Sequence, residues 1–340
     1  MRPYDRRLQR WVSGLLAALA AWGTPPVFNG IAFGQTEPVA AAIVANEVVT
    51  VAEAEGLYAR MIGDRTLDDD VRLALQAESL ETLVGQLLVV EYLRGTHEAA
   101  SADDVQLELD RWQQELATVD QTLDQYLADE KLSREGLLNR ICFRLSWRRY
   151  LEAKLTDVNL RKHFENYRRE LDGTELNVSH LLVKTADQSS DEVNAILERL
   201  AELRGRIESG TISWGDAVAR HSQAPTRDEG GSLGWIRRSG PMPETFSAAA
   251  FRLESGQISL PTRTPFGYHL IRCDEVKPGQ ITFEQARDEV RKHATRYLFG
   301  WIVERQREKT PPRYTGAYPH RDLATGNAIP ASGPRTSPPR

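Results

Sequence analysis

Two histidines, His180 and His269, each sit inside a run of alternating apolar residues, Asn177-Val-Ser-His-Leu-Leu-Val183 and Gly267-Tyr-His-Leu-Ile-Arg272. Between them lie Glu229-Gly-Gly-Ser-Leu-Gly-Trp235, Met242-Pro-Glu-Thr-Phe246 and Gly256-Gln-Ile-Ser259. Imidazoles can bind metals, shuttle protons or serve as neutral hydrogen-bond partners. A metal site would want His, Cys, Asp or Glu at turn or helical spacing, and no such cluster appears, so no metal is expected. The glycine-rich stretch Gly230-Gly-Ser-Leu-Gly234 lacks the Gly-Lys-Ser/Thr ending and the following helix of a phosphate-binding loop. What remains is apolar. Leu233, Met242 and Phe246 are spaced so that a loop and a short helix bring all three to one surface. They are either core residues or the lining of a shallow pocket suited to a proline ring.

These residues need strands and turns to place them, and the pattern supplies both. Leu176–Val183 and Gly267–Glu275 alternate as strands do. Ser189 opens a helix that stops at Gly210, Ser213 opens one to about His221, and Glu244–Phe251 makes a brief one. Ala224–Gly240 reads as loop with short strands, and Gly256–Ser259 as a turn. The result is an α+β domain of about 100 residues. On either side the chain reads as helix. Thr50-Val-Ala-Glu53 and Thr282-Phe-Glu-Gln285 are capping boxes, each opening a helix. Further helices are expected over Leu67–Arg94, from Ser101, over Thr122–Glu130, from Ser133 to Lys154 and over Asp157–Leu171. Ala40–Thr50 is dense in β-branched residues and reads as a short strand or hairpin. The helix after Thr282 carries Val290, Ala294, Leu298, Trp301 and Ile302 on an apolar face, and the N-terminal helices are its natural partner.

The order Val178-Ser-His180-Leu-Leu-Val183, Gly230-Gly-Ser-Leu-Gly-Trp235, Met242 and Phe246, Gly256-Gln-Ile-Ser259 and Phe266-Gly-Tyr-His269 resembles a parvulin-type peptidyl-prolyl cis/trans isomerase. The flanking helices resemble those of SurA/PrsA-type envelope foldases. The resemblance implies a four-stranded antiparallel sheet with about four helices, inserted in a helical chaperone domain. It implies domains at residues 40–171 (helical), 175–277 (parvulin-like) and 281–308 (a helix returning to the first domain). It casts His180 and His269 as the paired histidines of the site, Thr264 as the hydroxyl beside them, and Leu233, Met242 and Phe246 as the proline pocket. No cofactor is implied, and the partners would be unfolded or newly exported polypeptides with X–Pro bonds. One position departs from the family. After His221-Ser222, where parvulins usually carry Cys or Asp, stands Ala224, which can neither accept a hydrogen bond nor carry charge. Two functions therefore stay open, a foldase that isomerises X–Pro bonds and a holdase that only binds unfolded chains. The loop Lys184–Ser190 holds no arginine cluster, so no preference for phosphorylated Ser/Thr-Pro is expected.

Composition is consistent with this. The chain of 340 residues has 41% apolar and 27% charged residues and a net charge of −5, which offers no general attraction to nucleic acid. Cys142 and Cys273 are too few for a disulfide scaffold, and they fall in different expected domains. Arg2, Arg6, Arg7 and Arg10 precede the apolar run Trp11–Trp22, the pattern of a secretory signal over residues 1–34, with a cut expected ahead of Gln35. An uncleaved membrane anchor is the alternative, but the run is shorter than the roughly 20 residues a spanning helix needs. Export to the periplasm or cell envelope is the expectation. From Thr310 to Arg340 the chain is rich in Pro, Gly, Ser and Arg and is expected to be disordered.

Overall fold

A computed structural model describes residues 39–185, 190–264, 266–322 and 326–332, so the expected signal segment lies outside the described residues. The chain divides into two compact units. One is drawn from both ends of the sequence, up to Leu155 and from Thr295 onward; the other is Thr156–Ala294.

The first unit opens with a hairpin of β1 (Ala40–Val44) and β2 (Glu47–Thr50), turned at Ala45, whose φ is +52°. Thr50 then caps α1 (Val51–Ile62): its hydroxyl accepts from the Glu53 amide while the Glu53 carboxylate accepts from the Thr50 amide. Four more helices follow: α2 (Asp69–Gly95), α3 (Ala102–Ala117), α4 (Leu123–Asp129) and α5 (Arg134–Lys154). Ser101, Thr122 and Ser133 cap the last three through their hydroxyls. Although α2 is long and apolar enough to cross a membrane, 67% of its apolar window is buried inside the protein, which is how a core helix behaves.

The second unit begins with α6 (Asp157–Asn166) and α7 (Arg168–Leu171). The single helix expected here is broken at Tyr167, where φ is −123° and ψ 26°, outside the helical range. Next come β3 (Glu175–Val183), α8 (Ser190–Glu208), α9 (Trp214–His221), β4 (Ser232–Arg237), α10 (Glu244–Ala250), β5 (Thr262–Thr264) and β6 (Gly267–Lys277). The strands form one antiparallel sheet in the order β4-β3-β6-β5. Because successive strand residues face opposite sides, each face has its own core. Leu181 and Leu270 pack with Leu200 and Trp214 of α8 and α9, while Val178 and Ile271 pack with Phe246 and Ala250 of α10.

The last helix, α11 (Phe283–Lys309), contributes to both units. Thr282 and Gln285 exchange the two capping-box bonds at its start. Its first turns sit in the second unit, where Phe283 meets Phe164 edge-on. Its later residues Phe299, Ile302 and Val303 join Leu88 of α2 and Trp147 of α5 in the main core of the first unit.

Beyond α11 the expectation of a disordered tail is overturned for the described residues. β7 (Arg313–Tyr314) adds to β1 as a third strand, β8 (His320–Arg321) pairs with β9 (Ala328–Ile329), and Tyr318 is buried in the core. Composition misled because β1 has an open edge and two tyrosines suffice to anchor the segment, while Pro311-Pro312 holds the backbone extended ahead of the strand. Ion pairs reinforce it. Arg321 bonds Glu78 at 2.5 Å, and Arg307 bridges the Tyr314 hydroxyl and Glu81. Glu81 is 1% exposed, and burial pushes its carboxyl above the usual range despite the guanidinium. Removing one member of such a buried pair leaves an uncompensated charge. Arg307→Met is therefore expected to cost about 3–5 kcal/mol in urea unfolding, and the double change with Glu81→Leu to recover much of it. Additive losses in the double variant would show that the two side chains are not coupled.

Candidate functional site

His180 and His269 lie on neighbouring antiparallel strands, with His180 opposite Ile271 and Leu182 opposite His269. This offset makes the histidines a diagonal cross-strand pair within side-chain reach. Their Nδ1 atoms are 3.0 Å apart, and the rings are nearly parallel, 19° between planes. Both are buried. Phe246 presents its ring edge-on to each, with centroids at 5.9 Å from His180 and 5.4 Å from His269.

A hydroxyl closes each end of the pair. Thr264 Oγ1 is 2.7 Å from His269 Nε2 and accepts from the Phe266 amide at 3.1 Å. Thr226 Oγ1 is 3.3 Å from His180 Nε2. The four side chains form a line, Thr226–His180–His269–Thr264. An Nδ1···Nδ1 bond needs one ring to donate and the other to accept, so the accepting ring keeps its Nδ1 unprotonated and is neutral. Desolvation agrees with the geometry. Burial lowers the pKa of His180, and burial reinforced by the neighbouring imidazole lowers that of His269 to about 3. At neutral pH neither ring carries the extra proton that a general acid would donate.

Backbone packing sets this line in place. The His180 amide donates to the Gly231 carbonyl at 2.8 Å. Gly231 has a φ of +77°, and a Cβ there would lie 2.0 Å from the His180 carbonyl oxygen, so only glycine fits. The Ser222 hydroxyl accepts from the Leu182 and Ala224 amides, tying the end of α9 to β3. Ala224 itself is buried, with a methyl group where a polar side chain would be needed for a further hydrogen bond.

The structure divides the apolar trio. Phe246 is core, only 2% exposed, whereas Leu233 and Met242 are partly exposed and pack against the same cluster as Phe246. The core reading thus holds for Phe246, while Leu233 and Met242 keep part of their surface open. Thr226 is the residue that sequence reasoning missed; it lies in an irregular loop whose path is set by Gly231 bonding back to the Thr226 carbonyl. Gly230-Gly-Ser-Leu-Gly234 does have the spacing of a serine nucleophile motif, but Ser232 is exposed and opens strand β4 rather than a strand-to-helix turn. Among the described residues, no group of three or more His, Cys, Asp or Glu could hold a metal. Cys142 and Cys273 are both free and buried.

Residues 180–275 match the Rotamase family, the PPIC-type PPIase domain. The chain is 36% identical over 119 residues to the chaperone SurA of Bordetella avium, covering 35% of this chain and 23% of that one. It is 32% identical over 122 residues to the foldase protein PrsA of Bacillus subtilis, covering 36% of each. The chain thus matches only about a quarter to a third of these relatives' length. Among solved structures, a peptidylprolyl isomerase (PrsA) from Bacillus anthracis aligns over 68% of this chain and 96% of that one, at 23% identity and a TM-score of 0.34.

Because the folded histidines bind fewer protons than the unfolded ones, the stability they allow is complete above about pH 6.5 and falls as pH drops toward about 3. His163 adds to the same slope, since burial and His293 lower its pKa to about 4. Between pH 6.5 and about pH 5, His269 alone should account for about 2 kcal/mol of lost unfolding free energy. His269→Gln should flatten that slope by about this amount; an unchanged slope would mean that the buried ring does not govern it.

Proposed function

Because residues 180–275 match the PPIC-type PPIase domain and part of the chain is similar to SurA chaperones and PrsA foldases, we propose that it is an exported foldase whose central domain isomerises X–Pro bonds in unfolded clients. The observation that carries this reading is a proton-poor histidine pair walled by Phe246, beside the half-exposed apolar groups of Leu233 and Met242. Rotating an X–Pro bond breaks amide resonance against a barrier of roughly 18–20 kcal/mol and takes tens to hundreds of seconds unaided. The twisted amide is less polar than the planar one. An apolar wall beside the amide, formed by Phe246, binds it better than the ground state and so lowers the barrier, while the seat for the proline ring holds both states alike. In this mechanism the histidines keep the pocket's shape through the threonine-ended line and move no proton. No cofactor enters.

Client binding follows from the same reading. The partners would be newly exported or unfolded polypeptides, as the names of the chaperone and foldase relatives suggest. Export rests on the basic-then-apolar start of the chain, and a mature N-terminus near Gln35, read by intact mass, is its test. The second reading, a holdase without turnover, is favoured by one observation, the buried methyl of Ala224. Against it stands Thr226, whose hydroxyl reaches His180 although Ala224 cannot.

An exchange or protease-coupled assay on a short peptide with one X–Pro bond separates the two. The isomerase reading expects a rate above background, and Met242→Ala should cut kcat/KM about tenfold, the usual worth of one apolar contact in a pocket. Suppressed client aggregation with no rate above background would leave only the holdase. In the same assay Ala224→Asp is expected to raise turnover; an unaltered rate would show that this position does not limit it.

A further inference from the structure

A second polar chain runs through the same unit outside the histidine pair. Arg238, just past β4, donates through Nε to Glu170 of α7 at 2.7 Å. Its Nη1 donates to Glu244, in the first turn of α10, at 2.8 Å, and Nη2 reaches the other Glu244 oxygen, giving a bidentate grip. Arg238 and Glu170 side chains are 15% and 13% exposed. Beyond Glu170 the chain continues to His293 of α11 at 3.6 Å and from there to His163 of α6 at 2.7 Å. Against burial, the two carboxylates hold the guanidinium charged, its pKa above the ordinary value; also against burial, the hydrogen bond to His293 and then the Arg238 charge hold Glu170 ionised, with a pKa of about 2.

The position of this chain is more telling than its strength. Arg238 and Glu244 bracket Ser239-Gly-Pro-Met-Pro243, the loop that presents Met242, and α10 beyond it carries Phe246. Two prolines fix φ at Pro241 and Pro243, and the Gly240 amide bonds back to the Arg237 carbonyl. With the loop's interior so restrained, the freedom left is how its two ends are held together, and the Arg238–Glu244 pair closes that neck. Glu170 then ties the neck to α7. A buried ion pair is a poor source of net stability compared with apolar packing. A planar fork that must meet two carboxylates in fixed directions is, however, a good source of geometry.

We propose that Arg238 is a positioning residue for substrate, holding Met242 and the start of α10 in the arrangement that grips the proline ring. The proposal rests on the reading of Leu233, Met242 and Phe246 as a proline pocket, and it predicts a binding effect rather than a chemical one. Loss of an interaction made equally in ground and transition states raises KM and leaves kcat alone.

The test titrates a short peptide with one X–Pro bond into the full chain by calorimetry and follows turnover by NMR exchange. Arg238→Gln is expected to raise both Kd and KM about tenfold with kcat within about twofold. Arg238→Lys, a point charge that cannot bridge both carboxylates in the same plane, should recover only part of the affinity. If the single variants do not fold, the uncharged triple variant E170Q/R238M/E244Q, which strands no buried charge, replaces them and should bind as weakly. Wild-type affinity in any folded variant, or a fall in kcat at constant KM, would overturn the proposal. A wild-type protein that binds the peptide without turning it over removes the isomerase reading and leaves Arg238 to be judged on Kd alone. One that binds no such peptide removes the pocket, and this proposal with it.

Discussion

One hydrogen bond constrains the site more than any other contact, the Nδ1···Nδ1 bond between His180 and His269. It exists only while one ring leaves its Nδ1 free to accept, because protons on both Nδ1 atoms would put two N–H groups face to face. The threonines at the ends suit this constraint, since a hydroxyl can donate to one tautomer and accept from the other. Burial then works with the bond, making the neutral state the favoured one. Strand offset, the left-handed backbone at Gly231 and the edge of Phe246 all serve to keep two uncharged rings in line.

A site that holds no spare proton directs attention to its apolar wall. Phe246 is fixed in the core, and Leu233 and Met242 are left half-open beside it. In the proposed pocket the rigid member would set the depth and the open members would meet the proline ring. In the proposed isomerase, where the transition state differs from the ground state mainly in polarity and planarity, such a surface would do the catalytic work. The Arg238 neck extends the same logic to the loop that carries Met242.

The inserted arrangement has a physical basis in α11. Its first turns supply Phe283 to the second unit, and its later turns supply Phe299, Ile302 and Val303 to the first. Residues after Thr310 then complete the sheet that β1 and β2 begin. Both ends of the chain therefore build one core, and the domain between them contributes none of its own strands to it.

Much of this was legible in order along the chain. The capping boxes at Thr50 and Thr282 were readable because a hydroxyl and a carboxyl or amide three residues apart satisfy each other's backbone amides locally. The alternation around His180 and His269 marked two half-buried strands, and the family pattern named the residues around them. Tertiary structure alone decided the rest. Thr226 reaches His180 only through a loop folded back by Gly231, and the trio splits into core and rim only once α10 packs on the sheet. The segment after Thr310 looked too polar to order because composition cannot show that a strand edge elsewhere is open. What the sequence by itself determined were interactions within a few residues, where spacing sets geometry; what only the fold decided were pairings whose partners are chosen by strand register and loop closure.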